Sequence, residues 1–173
     1  MACIYYTASS LDGFVADEHA SLQWLLSRDF AAEGPFSIDG FLESVGALVM
    51  GADTYEWLLA HQPGDWMYRQ PSWVMTHRPQ IVAAGHPVHT FAGAVTDLYP
   101  TLAAAAGDRH VWVMGGGQVA RQFVDAGLVD EMIVSYAPCT LGAGSRVLPA
   151  RSEWVLVDTA RNADFVCAHW RRA

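Results

Sequence analysis

The chain has 173 residues, of which 52% are hydrophobic, and a formal net charge of −8. That length and apolar content suit one domain with a sizeable core, and no long polar or repetitive stretch reads as disordered. The acidic balance argues against a general nucleic-acid binder, which must attract a phosphodiester backbone, and no apolar run is long enough to cross a bilayer.

Residues 2–8 (ACIYYTA) read as a strand, β-rich and apolar. The polar turn Ser9 to Gly13 breaks it. Phe14, Val15 and Ala16 form a short apolar clip before a polar stretch from Asp17 to Ser21, as in a loop packed over something. Leu22, Leu25, Leu26 and Phe30 then recur at helical spacing, with Ser21 as a cap, which predicts a helix over 22–30. Asp29 ends that apolar face, five residues after Trp24. Two readings are open. A carboxylate held against apolar groups gains proton affinity and serves as a proton donor; a solvated one, or one paired with Arg28, does not.

Residues 37–44 predict a short helix, and 47–50 (ALVM) a buried strand that stops at Gly51. A helix follows, with Tyr55, Leu58 and Leu59 on one side and Asp53 or Thr54 as its cap. Residues 61–70 read as an exposed loop. Residues 72–76 form another strand, and His77 and Arg78 follow it directly, either as an anion seat or as a solvated turn. Residues 88–91 predict a short strand and 97–106 an Ala-rich helix, with Pro100 near its first turn.

The most informative stretch is 111–123, VWVMGGGQVARQF. An apolar run through Met114 stops at Gly115, Gly116 and Gly117, and a helical pattern opens at Gln118 and Val119. Glycine lets backbone approach a ligand closely, and the unpaired amides of a helix start attract an anion. The other reading is a turn that needs glycine for its own geometry. Gly127 reads as the stop of that helix. Residues 131–137 form a strand carrying Ser135, and 141–144 a flexible turn. Residues 154–159 and 164–171 read as a closing hairpin.

Single strands alternating with helices and ending in a hairpin predict a three-layer α/β fold with a mostly parallel sheet. Ligands in such folds bind beyond the carboxyl ends of the strands, where Gly51, Thr76 to Arg78 and Gly115 to Gly117 all fall. Neither a Gly-x-Gly-x-x-Gly after the first strand nor a Gly-Lys-Ser/Thr loop is present. His86 and His89 lack the further ligands that a metal site needs, so no metal is expected. Cys3, Cys139 and Cys167 are odd in number and scattered. With no basic, apolar leader, they fit reduced thiols in the cytoplasm.

The succession SLDGFVA, W(x)4D, VMGADTYE, VMTHR, VMGGGQVARQF, DEMIVSYAP and LGAG resembles the dihydrofolate reductase-like superfamily. It is especially similar to the bacterial branch that includes the C-terminal reductase domain of RibD. The resemblance implies a mixed, mainly parallel sheet of about eight strands with flanking helices and a C-terminal antiparallel hairpin. It also implies NADPH as cofactor. Ala8, Val15 and Ala16 would then lie beside the nicotinamide. Gly51, Ala52, Asp53 and Thr54 would face the phosphates, and Thr76, His77 and Arg78 the adenosine ribose with its extra phosphate. Met114 and Gly115 through Val119 would hold the pyrophosphate and the nicotinamide ribose. Trp24, Asp29 and Ser135 would meet the substrate, with Asp29 first and Asp12 second as catalytic acids. Ala52 departs from the basic residue usual at its position.

The implied activity is hydride transfer from NADPH to a C=N or C=O carbon of a pterin or aminopyrimidine, in a homodimer as in relatives. The alternative is a dimeric nucleotide-binding protein that keeps the fold without the chemistry.

Overall fold

The computed structural model describes all residues, 1–173. Its strands are β1 Cys3–Ser9, β2 Phe14–Ala16, β3 Val45–Gly51, β4 Ser72–Met75, β5 Val88–Phe91, β6 His110–Gly115, β7 Glu131–Tyr136, β8 Ser145–Arg146, β9 Trp154–Asn162 and β10 Phe165–Arg172. The helices are α1 Gln23–Leu26, α2 Ile38–Ser44, α3 Ala52–His61, α4 Val95–Ala106 and α5 Gly117–Asp125.

Eight strands form one sheet in the order β5-β4-β3-β6-β1-β7-β10-β9. The first six are parallel to their neighbours, whereas β10 runs antiparallel to β7 and β9 antiparallel to β10. The predicted α/β fold with a terminal hairpin is therefore the one observed.

The pleat sends successive residues to opposite faces, and the apolar residues divide accordingly. Cys3, Tyr5, Ala47, Val49, Val111 and Val113 face α4 and α5, whose Leu98, Leu102, Ala120 and Phe123 complete one core. Ile4, Tyr6, Leu48, Met50 and Trp112 face the other way, against Tyr55 and Leu58 of α3 and the half-buried Phe41 and Leu42 of α2. Strands buried on both faces explain why β1, β3 and β6 are almost continuously apolar.

Several local expectations are corrected. Helix α1 covers only 23–26: Leu25 and Phe30 pack against the Ala137, Phe165 and Cys167 cluster, but Leu26 is 57% exposed and the stripe is only partly covered. Beyond it the backbone is tied to the terminal hairpin, with Asp29 N donating to Asp164 Oδ2 at 3.0 Å and Ala31 N to Asn162 Oδ1 at 2.8 Å. Leu22, not Ser21, is the N-cap of α1. Helix α3 starts at Ala52 behind Gly51, so neither Asp53 nor Thr54 caps it. Pro100 lies inside α4, which opens at Val95, a residue only 5% exposed. The 61–70 loop is anchored by the half-buried Trp66 and Tyr68, and Trp66 Nε1 donates to Ser72 Oγ at 3.0 Å. Gly127, at φ +73°, does stop α5 as read.

Strand β2 pairs antiparallel with β8 in a small second sheet, with the Arg146 guanidinium 4.5 Å from the Phe14 ring centre. The clip at 14–16 is thus packed over, as the alternation of polar turns around it implies.

Candidate functional site

Strands β3 and β6 are neighbours, yet the helices that follow them leave to opposite faces of the sheet. Such a reversal opens a crevice at the carboxyl ends of the two strands. The glycines keep it open. A Cβ on Gly51 would crowd Val119 Cγ2 at 3.1 Å and lie 3.8 Å from both Gly115 O and Gly116 N, whereas one on Gly116 would meet only Thr54 Oγ1, at 4.0 Å. Gly115 has φ +117°, a conformation that glycine adopts freely. Both α3 and α5 begin behind a glycine N-cap with no side-chain cap, so their first amides remain available to a ligand.

The neighbouring strands extend this margin. On one side is β4, followed by Thr76, His77 and Arg78; Thr76 N donates to Phe91 O at 2.9 Å, and Thr76 Oγ1 accepts from Arg78 N at 3.0 Å. On the other side is β1, whose Ala8 stands in register with Ser135 of β7. Gly51, Ala52, Asp53, Thr54, Thr76, His77, Arg78, Met114 through Val119, Ala8 and Ser135 therefore lie along one end of the sheet. Val15 and Ala16 belong to the small β2-β8 sheet beside it.

The remaining site residues stand differently. Asp12 is a fastener within the loops: it accepts from Leu141 N, Gly142 N and Ser10 Oγ at 2.6–3.1 Å. These bonds, the Ser10 hydroxyl first, hold its carboxyl down at about 2. Asp29 is exposed, in line with the solvated one of its two readings. Its backbone pairs with Asp164 at the hairpin turn. Trp24 packs against Ala137, Phe165 and Cys167, with a buried Nε1 that has no partner. Ser135 is buried, its Oγ 3.3 Å from Cys167 Sγ. Arg78 is not a free cation. Its Nη1 and Nη2 donate to Glu56 Oε1 and Oε2 at 3.1 and 2.9 Å.

Sequence reasoning missed a small hollow of about 250 Å³ lined by Tyr6, Phe36, Phe41 and Ile133. Tyr6 is two residues before Ala8 on β1, so the hollow opens on the same face of that strand. Burial pushes the Tyr6 phenol up to about 12, and its hydroxyl donates to Phe36 O at 2.5 Å. The Tyr6-Ala8 alternation was the available signal, but nothing in sequence joins Tyr6 to Phe36. A wider cleft of about 410 Å³, lined by Asp39, Glu43, Tyr68, Arg69 and Arg109, lies at the opposite end of the sheet. It contains none of the glycine junctions.

With this geometry, comparison with known proteins is decisive for the family. The RibD C-terminal domain family matches residues 2–156. The chain belongs to that family. A RibD C-terminal domain is what the motif succession implied, and the eight-stranded sheet agrees with it. Among curated proteins the chain is 27% identical to the uncharacterized protein YwjB of Bacillus subtilis over 141 residues, 82% of this chain and 79% of that one. It is 29% identical to the riboflavin biosynthesis protein RibD of Corynebacterium ammoniagenes over 175 residues, 92% of this chain. The chain spans about half of that RibD, 48% of its length.

Among solved structures, a putative riboflavin biosynthesis protein from Shewanella sp. PV-4 superposes with a TM-score of 0.86 at 27% identity, over 100% of this chain and 99% of the other. Dihydrofolate reductase from Enterococcus faecalis, solved with NADP(H), gives 0.65 at 18% identity over 99% and 96% of the two chains. The latter likeness shows the shared fold. Together these matches place the chain in the RibD C-terminal domain family, with a fold shared with dihydrofolate reductase.

Proposed function

We propose that the chain is an NADPH-dependent reductase that delivers hydride to a C=N or C=O carbon of a small heterocycle, a pterin or an aminopyrimidine. The observation that carries this reading is the convergence of two uncapped helix starts on Gly51 and Gly116. A diphosphate placed there would accept from amides of both α3 and α5. Family membership and the NADP(H) held by the Enterococcus reductase support a nicotinamide nucleotide as the ligand.

Laid along the margin, the cofactor would run from Thr76, His77 and Arg78 at its adenosine end, past Gly51 to Thr54 and Met114 to Val119, to its nicotinamide beside Ala8, Val15 and Ala16. The nucleotide supplies the hydride; the chain orients it and excludes water. The substrate ring would rest near Ser135 and the Tyr6-Phe36-Phe41 hollow, beyond Ala8. Asp29, being exposed, would pass the proton to the substrate nitrogen through water, from the edge of the segment that carries Trp24. Asp12 holds the 141–142 turn beside this end.

The working unit would be a homodimer. Val155, Leu156, Val157 and Val166 of the terminal hairpin are 47–57% exposed, and a second copy would cover them.

The test is a titration of the seven tryptophans with NADPH, followed by assays of NADPH oxidation with aminopyrimidines and pterins. Quenching together with substrate-dependent oxidation is the expected result. Quenching without oxidation by any such heterocycle favours a nucleotide-binding protein without the chemistry, a reading to which Ala52 lends weight. No binding would overturn both.

A further inference from the structure

Resting on the nucleotide reading of the crevice, we propose that Glu56 sets how strongly the site distinguishes a 2′-phosphorylated nicotinamide nucleotide from its unphosphorylated counterpart. The chain contains no lysine, and all ten of its Lys/Arg residues are arginine. At the adenosine end Ala52 contributes no charge, so Arg78 is the fixed cation on which a 2′-phosphate would depend. Its planar fork is already matched by the Glu56 carboxylate, at 3.1 and 2.9 Å. Asp53, one turn earlier on α3, adds a second negative charge that Arg78 feels.

A phosphate reaching Arg78 must therefore displace or share Glu56 and approach two carboxylates. The unphosphorylated ribose meets no such conflict, and its 2′-hydroxyl can donate to Glu56 itself. The pair is accessible, with side-chain exposures of 51% and 42%, so the exchange needs no unfolding of α3. Glu56 is a specificity residue that holds discrimination down. Removing its charge leaves the whole fork to the phosphate, and a guanidinium-phosphate pair is a strong, charge-assisted contact.

The experiment measures NADPH and NADH affinities by tryptophan quenching for the full chain, Glu56→Gln, Glu56→Ala and Arg78→Ala. The native chain is expected to prefer NADPH by less than about tenfold. Both Glu56 variants should raise that preference by about tenfold, through tighter NADPH binding with a steeper salt dependence. Arg78→Ala should erase the preference. A native preference of about a hundredfold or more, or an unchanged ratio in both Glu56 variants while both nucleotides bind, would overturn the role of Glu56. Failure of the native chain to bind either nucleotide is a different result, and it removes the cofactor reading on which this role depends.

Discussion

Gly51 and Gly116 stand backbone to backbone at the ends of adjacent strands, so close that a methyl group on the first would lie 3.8 Å from the amide nitrogen of the second. Their neighbours differ sharply in what a side chain would cost. Gly116→Ala puts a methyl group into the crevice with no atom nearer than 4.0 Å. It should fold normally and weaken NADPH binding by about tenfold or more, an effect of about 1.4 kcal/mol. At Gly117 the added Cβ would sit 2.1 Å from Arg146 O. Gly117→Ala should therefore destabilise the fold by about 1–3 kcal/mol. Thermal melts beside quenching titrations separate the two outcomes; equal melting losses for both variants would refute the open crevice.

In the proposed chemistry Asp29 would act from the surface, where it is exposed. Asp29→Asn should lower turnover by about tenfold, less than the 10²–10⁴ typical of a directly placed general acid. The NADPH dissociation constant should stay unchanged, because Asp29 is not among the residues at the phosphate crevice. If turnover is unaffected across the pH range, bulk water alone delivers the proton.

Asp12 makes the 141–142 turn sensitive to acid. Its carboxyl is held at about 2 against an ordinary 3.8. The folded value is the lower one, so its bonds contribute fully above about 4 and are lost as pH falls through about 2. Amide exchange at Leu141 and Gly142 should accelerate over that window. In Asp12→Asn it should be faster already at neutral pH, because a neutral amide oxygen accepts less strongly than a carboxylate. Protection that is independent of pH in the native chain would contradict this.

Asn162, 1% exposed, donates to Ala31 O and Pro35 O and accepts from Ala31 N, at 2.8–3.1 Å. Asn162→Ala would remove the partner of the Ala31 amide and of the Ala31 and Pro35 carbonyls, residues that are themselves exposed, so water replaces part of what is lost. The expected loss is about 1–3 kcal/mol, read as a lower urea midpoint.

Val157 is 53% exposed on β9, one of the two edge strands of the sheet. If the terminal hairpin joins two copies, Val157→Lys should convert a dimer to a monomer in sedimentation experiments, because an unpaired charge is costly to bury. A native chain that sediments as a monomer, or a variant that remains dimeric, would assign the hairpin no such role.

The parallel core and the glycine junctions were legible because each is a local event: an apolar run, a glycine, then a 3.6-residue period. Helix α1 is shorter than its spacing predicts for a related reason. The spacing of Leu22, Leu25, Leu26 and Phe30 is helical, but helices this short depend on tertiary cover, and here none covers Leu26. The features that sequence spacing does not reveal join distant residues. The Glu56-Arg78 pair spans 22 positions, the Asn162 clasp reaches back 131, and the Tyr6-Phe36 bond depends on how α2 settles on the sheet. The lone carboxylates Asp12 and Asp29 could be placed on elements, but their surroundings could not be read from neighbours in sequence.

The Asn162 clasp has a practical corollary. The family match ends at residue 156, six positions short of the side chain that pins the 31–35 backbone, and it excludes the whole strand paired with β7. A gene trimmed to the homologous limits would strip one border from the sheet and unmoor the wall of the hollow beside Tyr6. A stretch outside the matched residues can thus be indispensable to folding, and expression boundaries are better drawn from the hairpin than from the limits of the family match.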